Sequence, residues 1–381
     1  MIQYDEKLIR ETNAFGCLEC GKCTGTCPVA RYSSTFSPRQ ILTGSIHNSH
    51  PSSFPMADLW SCLTCKRCDE VCPSDIKYVE FIHLIRQFQG IENREGTCSH
   101  GGILESISKI MMAPNLKQKR LDGLNGSLQT SQDSEYLYFM GCLPYFQVLF
   151  DDLNMEAMNI ARNTIKILNY FEIKPQVLSD EKCCGHDSYW NGDIQTFQKL
   201  GLANIDQFNK AKIKKIITSC PECYRTLKVD YPKNFGRQDY QVYHISEFLS
   251  DIIADKQPVL KGDSQRMTFQ DPCRLGRHMD VYEQPRNTLK AISGNDFVEM
   301  GHHHKRSICC GVSGWMNCSQ ISKQIQANRL NEAKATDADL LVTTCAKCQI
   351  HFNCALKDQN ISENVKFEIK DLTEVVGEAL T

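Results

Sequence analysis

From about residue 135 onward, apolar residues fall into short runs separated by longer amphipathic stretches, the alternation expected of strands and helices. Tyr136-Leu-Tyr-Phe139, Lys215-Ile-Ile-Thr218, Met267-Thr-Phe-Gln270 and Asp339-Leu-Leu-Val-Thr343 each predict a short buried strand. Between them, Asn154 to Phe171, Ile194 to Ala211 and Ile321 to Ala335 read as helices. Strands alternating with helices predict Rossmann-like parallel sheets, α/β in class, with ligands at the carboxyl ends of the strands. The first hundred residues lack this alternation. There Tyr78-Val-Glu-Phe-Ile-His-Leu-Ile-Arg86 has apolar positions at helical spacing, and residues 91–134 then turn polar. A linker is expected over 96–134. The most apolar stretch, Tyr136 to Phe150, is interrupted by Gly141, Pro144 and Gln147. It falls short of the about 20 apolar residues of a spanning helix and predicts a strand followed by a turn.

The chain has 381 residues, 41% of them hydrophobic, enough for two or three domains with cores of their own. Its formal net charge of −2 gives no reason to expect nucleic acid as a partner. The 21 cysteines change the picture. In a secreted chain they would pair as disulfides, and in a cytosolic one they would serve as metal ligands or redox groups. Met1 to Gly16 contains Asp5, Glu6, Lys7, Arg10 and Glu11, without the apolar run of a signal peptide. The expectation is a cytoplasmic, metal-binding chain.

Cys17-Leu-Glu-Cys20-Gly-Lys-Cys23-Thr-Gly-Thr-Cys27-Pro28 is one CxxCxxCxxxCP run, and Cys62-Leu-Thr-Cys65-Lys-Arg-Cys68-Asp-Glu-Val-Cys72-Pro73 is another. This spacing suits cubane [4Fe–4S] clusters, in which three close thiolates hold one cluster and the fourth reaches the cluster of the other run. One cluster then takes Cys17, Cys20, Cys23 and Cys72, and its neighbour takes Cys62, Cys65, Cys68 and Cys27. Such crossing keeps the two clusters close enough for electron relay. Zinc also favours Cys-x-x-Cys pairs, but it uses two pairs rather than two identical runs each ending in Cys-Pro. Residues 1–95 are therefore expected to form a helical two-cluster ferredoxin domain.

The remainder repeats itself. Gly141-Cys142, Cys183-Cys184-Gly185 and Cys220-Pro-Glu-Cys223 are matched by Pro272-Cys273, Cys309-Cys310-Gly311 and Cys345-Ala-Lys-Cys348. Five cysteines in the same order, offset by 131, 126 and 125 residues, mark two copies, over 135–260 and 261–381. Each predicted strand delivers a cysteine at its end. Helices starting just after would aim backbone N–H groups at anionic sulfur, and Gly185 and Gly311 would let the backbone approach closely. Five thiolates are one more than a cubane needs, and adjacent cysteines cannot easily serve two corners of one cubane. The chemistry hints at an unusual cluster. No GxGxxG run follows a strand, so neither flavin nor NAD is expected.

These residues resemble a known family. Cys183-Cys-Gly-His-Asp187, Cys220-Pro-Glu-Cys-Tyr-Arg225, Asp271-Pro-Cys-Arg-Leu-Gly276 and Cys309-Cys-Gly-Val-Ser-Gly314 are similar to the CCG domains of heterodisulfide reductase. The order of ferredoxin region and two CCG repeats resembles the fused form of that enzyme, in which both parts share one polypeptide, over about residues 14 to 350. The resemblance implies a non-cubane [4Fe–4S] cluster on each five-cysteine set: Cys142, Cys183, Cys184, Cys220 and Cys223 in the first, and Cys273, Cys309, Cys310, Cys345 and Cys348 in the second. It implies a pseudo-twofold pair of modules that cleaves a disulfide such as the mixed disulfide of coenzyme M and coenzyme B. It also implies a redox partner, such as a b-type cytochrome, flavoprotein or reductase subunit, which would hold the chain at the inner membrane face without a span of its own. The same parts occur in relay subunits of flavin-linked glycolate, lactate and glycerol-3-phosphate dehydrogenases, the alternative function.

Cys98, Cys318 and Cys354 fit no motif and read as ordinary small residues. His302, His303 and His304 read as a polar loop, though they could donate protons. His186 directly follows a CCG run and is a candidate for supporting the cluster beside it.

Overall fold

Each half of the C-terminal region is built on three parallel strands joined by helical crossovers. The computed structural model describes residues 10–47, 56–89, 100–124, 126–153, 155–262, 265–313, 318–362, 365 and 367–380. In the first repeat β1 (Tyr136–Tyr138), β2 (Lys215–Thr218) and β3 (Gln241–His244) lie in that order, with Leu137 opposite Ile216 and Ile217 opposite Tyr243. In the second, β4 (Met267–Phe269), β5 (Leu340–Thr343) and β6 (Glu368–Asp371) repeat the arrangement, with Phe269 opposite Val342 and Leu341 opposite Ile369. The central strands β2 and β5 are almost wholly buried, which is why they read as continuous apolar runs. The edge strands β3 and β6 alternate exposed and buried residues, and their Gln, His, Glu, Lys and Asp concealed them from a search for such runs.

The ferredoxin region is helical, as expected. It contains α1 (Pro38–His47) and α2 (Tyr78–Gln89), the latter burying Val79, Phe81, Ile82 and Ile85. The stretch expected as a linker is not a free tether among its described residues. Its helix α3 (Ile103–Met111) buries Leu104, Ile107 and Met111, and the fully buried Arg120 pairs with Glu181 of the first repeat at 2.5 Å.

The repeats continue with matching helices. The first has α4 (Leu143–Leu149), α5 (Ala157–Tyr170), α6 (His186–Asn191), α7 (Ile194–Lys210), α8 (Pro221–Arg225) and α9 (Ile245–Lys256). The second has α10 (Glu283–Ser293), α11 (Gln320–Lys334), α12 (Ala346–Leu356) and α13 (Leu372–Ala379). The stretch from Tyr136 to Phe150 is thus a strand and turn followed by α4. Between repeats, α5 packs on α13 and α9 packs on α10. Each pair joins the first long helix after the first strand of one copy to the helix after the third strand of the other. That exchange is the signature of a twofold, self-complementary interface, here within one chain.

Candidate functional site

The four cysteine sets lie where loops meet helix starts. Cys17, Cys20, Cys23, Cys72 and also Cys68 line one cavity, with Pro73, Ile76 and Tyr78 as its apolar wall. Cys27 sits instead with the second run. Burial pushes its thiol well up, and the neighbouring Cys65 and Cys62 add to the shift. Burial also raises the Cys62 thiol to about 11, against the pull of the Arg86 guanidinium. Arg86 is fully buried. It donates to the backbone carbonyls of Leu59 (3.0 Å), Cys62 (2.8 Å) and Trp190 (3.0 Å), so it fastens the second run to the first repeat. Cys68 Sγ donates to Asp69 Oδ1 at 3.4 Å, and burial lifts the Asp69 carboxyl to about 7.

In the repeats, Cys142, Cys220 and Cys345 occupy the N-cap positions of α4, α8 and α12. The free N–H groups and positive dipole end of a helix favour negative charge on a sulfur placed there. Gly185 caps α6 in the same way after Cys183-Cys184. The five sulfurs of each set form a connected group. Cys220 meets Cys223, Cys223 Sγ donates to Cys184 Sγ at 3.4 Å, Cys184 adjoins Cys183, and Cys183 meets Cys142. The second set repeats this, Cys273 to Cys309 to Cys310 to Cys348 to Cys345. Cys183 and Cys310 are held low by thiols donating to them, Cys142 and Cys309 foremost.

Backbone geometry keeps this space clear. Gly141 has φ +64°, and a Cβ there would sit 3.1 Å from Cys223 Sγ. Gly185 (φ +83°) and Gly311 (φ +87°) turn the chain where a side chain would strike Phe197 or the backbone of Ser322. All-sulfur donor sets of four and five, mostly buried, suit iron–sulfur centres. Buried thiols raised by desolvation stay protonated until a cation compensates their charge.

A network of charges lies between the two five-cysteine sets. Lys347, 7% exposed, reaches across the repeat interface to Asp187 (2.6 Å) and Glu222 (2.6 Å). Burial opposes its charge, but the two carboxylates outweigh it and hold the ammonium ionised. Arg274 Nε donates to His186 Nε2 at 3.1 Å, and burial, aided by Arg274, keeps that imidazole neutral. His186 Nε2 is then the acceptor, and its Nδ1–H faces Thr226 Oγ1 at 3.2 Å. Arg274 also donates to the Thr64 carbonyl (2.9 Å), and Arg277 Nε donates to the Cys65 carbonyl (2.6 Å). Both arginines, three residues apart beside Cys273, therefore clamp the second ferredoxin run onto the second repeat.

Sequence reasoning singled out His186 but missed Lys347, Glu222, Asp187, Arg274 and Arg277. A signal existed: aligning the copies sets Glu222 against Lys347 between the paired cysteines, opposite charges at matched positions. His302 and His304 are tied to Glu332 (2.7 Å) and Glu283 (2.6 Å). Cys318 is exposed, and Cys354 Sγ accepts from Lys323 at 3.4 Å. Cys98 lies outside the described residues.

Comparison with known proteins agrees with this arrangement. A "4Fe-4S dicluster domain" model matches residues 13–76, and a "Cysteine-rich domain" model, CCG, matches twice, over 136–228 and 267–353. The D subunit of the dihydromethanophenazine:CoB–CoM heterodisulfide reductase of Methanosarcina mazei is 29% identical, over 96% of this chain and 93% of that protein. Its counterpart in Methanosarcina barkeri is 26% identical over the same shares. The EtfAB:quinone oxidoreductase of Syntrophomonas wolfei is 29% identical over 84% of this chain, which spans 46% of that relative. With a dicluster ferredoxin domain, two CCG domains and end-to-end similarity to those reductase proteins, the chain belongs to the family of fused ferredoxin–CCG iron–sulfur proteins typified by the D subunit of heterodisulfide reductase.

Proposed function

We propose that this chain is the disulfide-cleaving subunit of an iron–sulfur oxidoreductase. Cys17, Cys20, Cys23 and Cys72 would hold one cubane cluster, and Cys27, Cys62, Cys65 and Cys68 the other. The two five-cysteine sets would each hold a non-cubane [4Fe–4S] cluster. When bound, these clusters supply one-electron storage and a Lewis-acidic surface for sulfur. The observation that carries the reading is that both five-cysteine sets converge on one interface, where the two Cys-x-x-Cys loops touch through Glu222 and Lys347 at 2.6 Å. A disulfide lying there would present one sulfur to each module.

The chain's own residues would do three things. Arg277 and Arg274 hold the second ferredoxin run against Cys273, which keeps the path for electrons short. Lys347 carries a proton at Nζ between the two sulfur sets, where nascent thiolates need one. The apolar surround of Leu63, Pro221, Pro272 and Val312 excludes water. The net reaction is R–S–S–R′ + 2 e⁻ + 2 H⁺ → RSH + R′SH. The mixed disulfide of coenzyme M and coenzyme B or a related pair is the substrate class, and a cytochrome, flavoprotein or reductase partner supplies the electrons. No helix among the described residues is long and apolar enough to cross a membrane, so membrane attachment would come through such a partner.

A second reading, pure electron relay for a flavin-linked dehydrogenase, has its own support. Lys347 fills the interface, the cavity at the second set is about 30 Å³, and one relative is a quinone oxidoreductase. Anaerobic protein with viologen-radical donor separates the two. The disulfide reading expects two thiols released per two dye radicals consumed. Dye oxidation only by quinone, with no thiol from any disulfide tried, would select the relay.

A further inference from the structure

A second cavity lies between the ferredoxin region and the second repeat. Its volume is about 680 Å³, within the range of about 300 to 1,000 Å³ typical of small-molecule sites. Lys22, Arg31 and Arg67 line it, and no carboxylate does. None of the three cations has a carboxylate within ion-pair distance among the described residues. That sets them apart from Arg86, Arg120, Arg274, Arg277 and Arg286, each of which donates hydrogen bonds to groups within the protein. Lys22 and Arg31 are exposed and Arg67 is half-buried. His302 stands at the wall, held by Glu332 at 2.7 Å. Pro28, Tyr32, Val71, Ile308 and Ile325 give it an apolar or flat wall, and Thr26 and Asn328 add two neutral polar groups. Gly25 leaves open space beside it, with nothing within 4 Å of where a Cβ would be.

We propose that this cavity binds an organic polyanion of nucleotide size, its phosphate or carboxylate groups on Lys22, Arg31 and Arg67 and its planar body against Tyr32 and the apolar wall. Converging cations without carboxylate partners among the described residues select charge, and guanidinium groups select oxyanions in particular, although Arg31 already lies 5.8 Å from the Tyr32 ring centroid. Concavity selects a small molecule over a protein surface, because a docking protein would leave most of such a depth empty. Cys27 forms part of the lining, so a bound molecule lies directly against the second ferredoxin set.

The competing account is that the three cations only balance the charge of a cluster on that set. The test uses the whole, iron-loaded chain, dialysed anaerobically against labelled ADP, pyrophosphate and adenosine. The expected result is one saturable ADP per chain, pyrophosphate competing at least fivefold more weakly, and adenosine at least tenfold more weakly. Arg31→Glu and Lys22→Glu, both at exposed positions, should each weaken ADP at least fivefold with iron content and far-ultraviolet dichroism unchanged. Absence of saturable ADP binding overturns the proposal and leaves charge balance as the role. Binding untouched by both variants places the ligand elsewhere and overturns it as well. Pyrophosphate bound as tightly as ADP overturns the nucleotide class. Capture of an acidic redox protein that ADP cannot displace overturns the small-molecule reading.

Discussion

Between the paired cysteines of the first repeat stands Glu222, and at the matching place in the second stands Lys347. After the adjacent cysteines the first repeat has His186 and Asp187, where the second has Val312 and Ser313. After the first cysteine the first repeat has Leu143 and the second Arg274. The fold is shared strand for strand, but the inward-facing side chains have become complementary rather than alike. In a symmetric dimer of either copy, Glu222 or Lys347 would meet its own kind. Within one chain they meet each other, with Asp187 as a second carboxylate on Lys347. The arginines that hold the cysteine run at Thr64 and Cys65 belong to the second copy, whereas Arg225 of the first copy reaches Glu80 at 3.5 Å. Two similar modules therefore have different duties. The second set, beside Thr64 and Cys65, is the proposed point of electron entry, while the first repeat meets the ferredoxin region through Trp190 and Arg225.

The largest test of that difference removes one cluster at a time. Cys184→Ser and Cys310→Ser should each lower iron from about 16 to about 12 per chain and abolish thiol release. The ferredoxin sets should still accept electrons from dye in both. Cys310→Ser should in addition stop electrons from reaching the first repeat, seen as loss of its reduced spectrum in freeze-quenched samples. Equal reduction of the first repeat in both variants would break the proposed order.

A smaller effect is expected from the ion pairs. Lys347→Met leaves Glu222 and Asp187 buried without their cation, at a cost of about 3 to 5 kcal/mol in an anaerobic denaturant titration. The exchange Glu222→Lys with Lys347→Glu should recover only part of this, because Asp187 would then face a carboxylate. Full recovery would show that the pair acts alone.

The smallest effect concerns two matched helix caps. His244 caps α9 and Asp371 caps α13, each in a capping box, and both are fully buried. Burial drives them in opposite directions, His244 down to about 3 and Asp371 up to about 7. Below pH 6.5 the unfolded chain takes a proton at His244 that the folded one refuses. Stability is therefore lost as pH falls from 6.5 toward 3, by about 2 kcal/mol at pH 5. For Asp371 the folded form keeps its proton between about 4 and 7 while the unfolded form ionises. Stability there is lost as pH rises, by at most about 4 kcal/mol at pH 7. His244→Asn should flatten the acid side of the stability profile and Asp371→Asn the neutral side, both keeping a cap. Identical profiles for the two variants would show that the caps do not titrate as placed.

Much of this was legible in the sequence where a residue type can do only one thing. Eight ferredoxin cysteines at fixed spacing and two copies of five left little freedom. Buried strands such as β2 and β5 announce themselves because both faces are apolar. The edge strands β3 and β6 did not, since half of each faces water. Arg120 and Met111 were hidden in a polar stretch because burial of a charge depends on a partner, Glu181, some sixty residues away. Lys347 escaped for the same reason. A lysine in a sequence reads as surface, and only the folded interface shows two carboxylates waiting for it.

Among the eighteen motif cysteines, Cys20 alone is exposed; the others are buried or half-buried. A thiolate at the surface offers a partner's redox centre the shortest approach, and it offers dioxygen the same. The outermost site is therefore expected to be the first to corrode when the protein meets air, with the deeper sets protected by the protein around them. Such a chain would lose its connection to the donor before it lost the chemistry inside, and restoring iron at the edge would be enough to reconnect it.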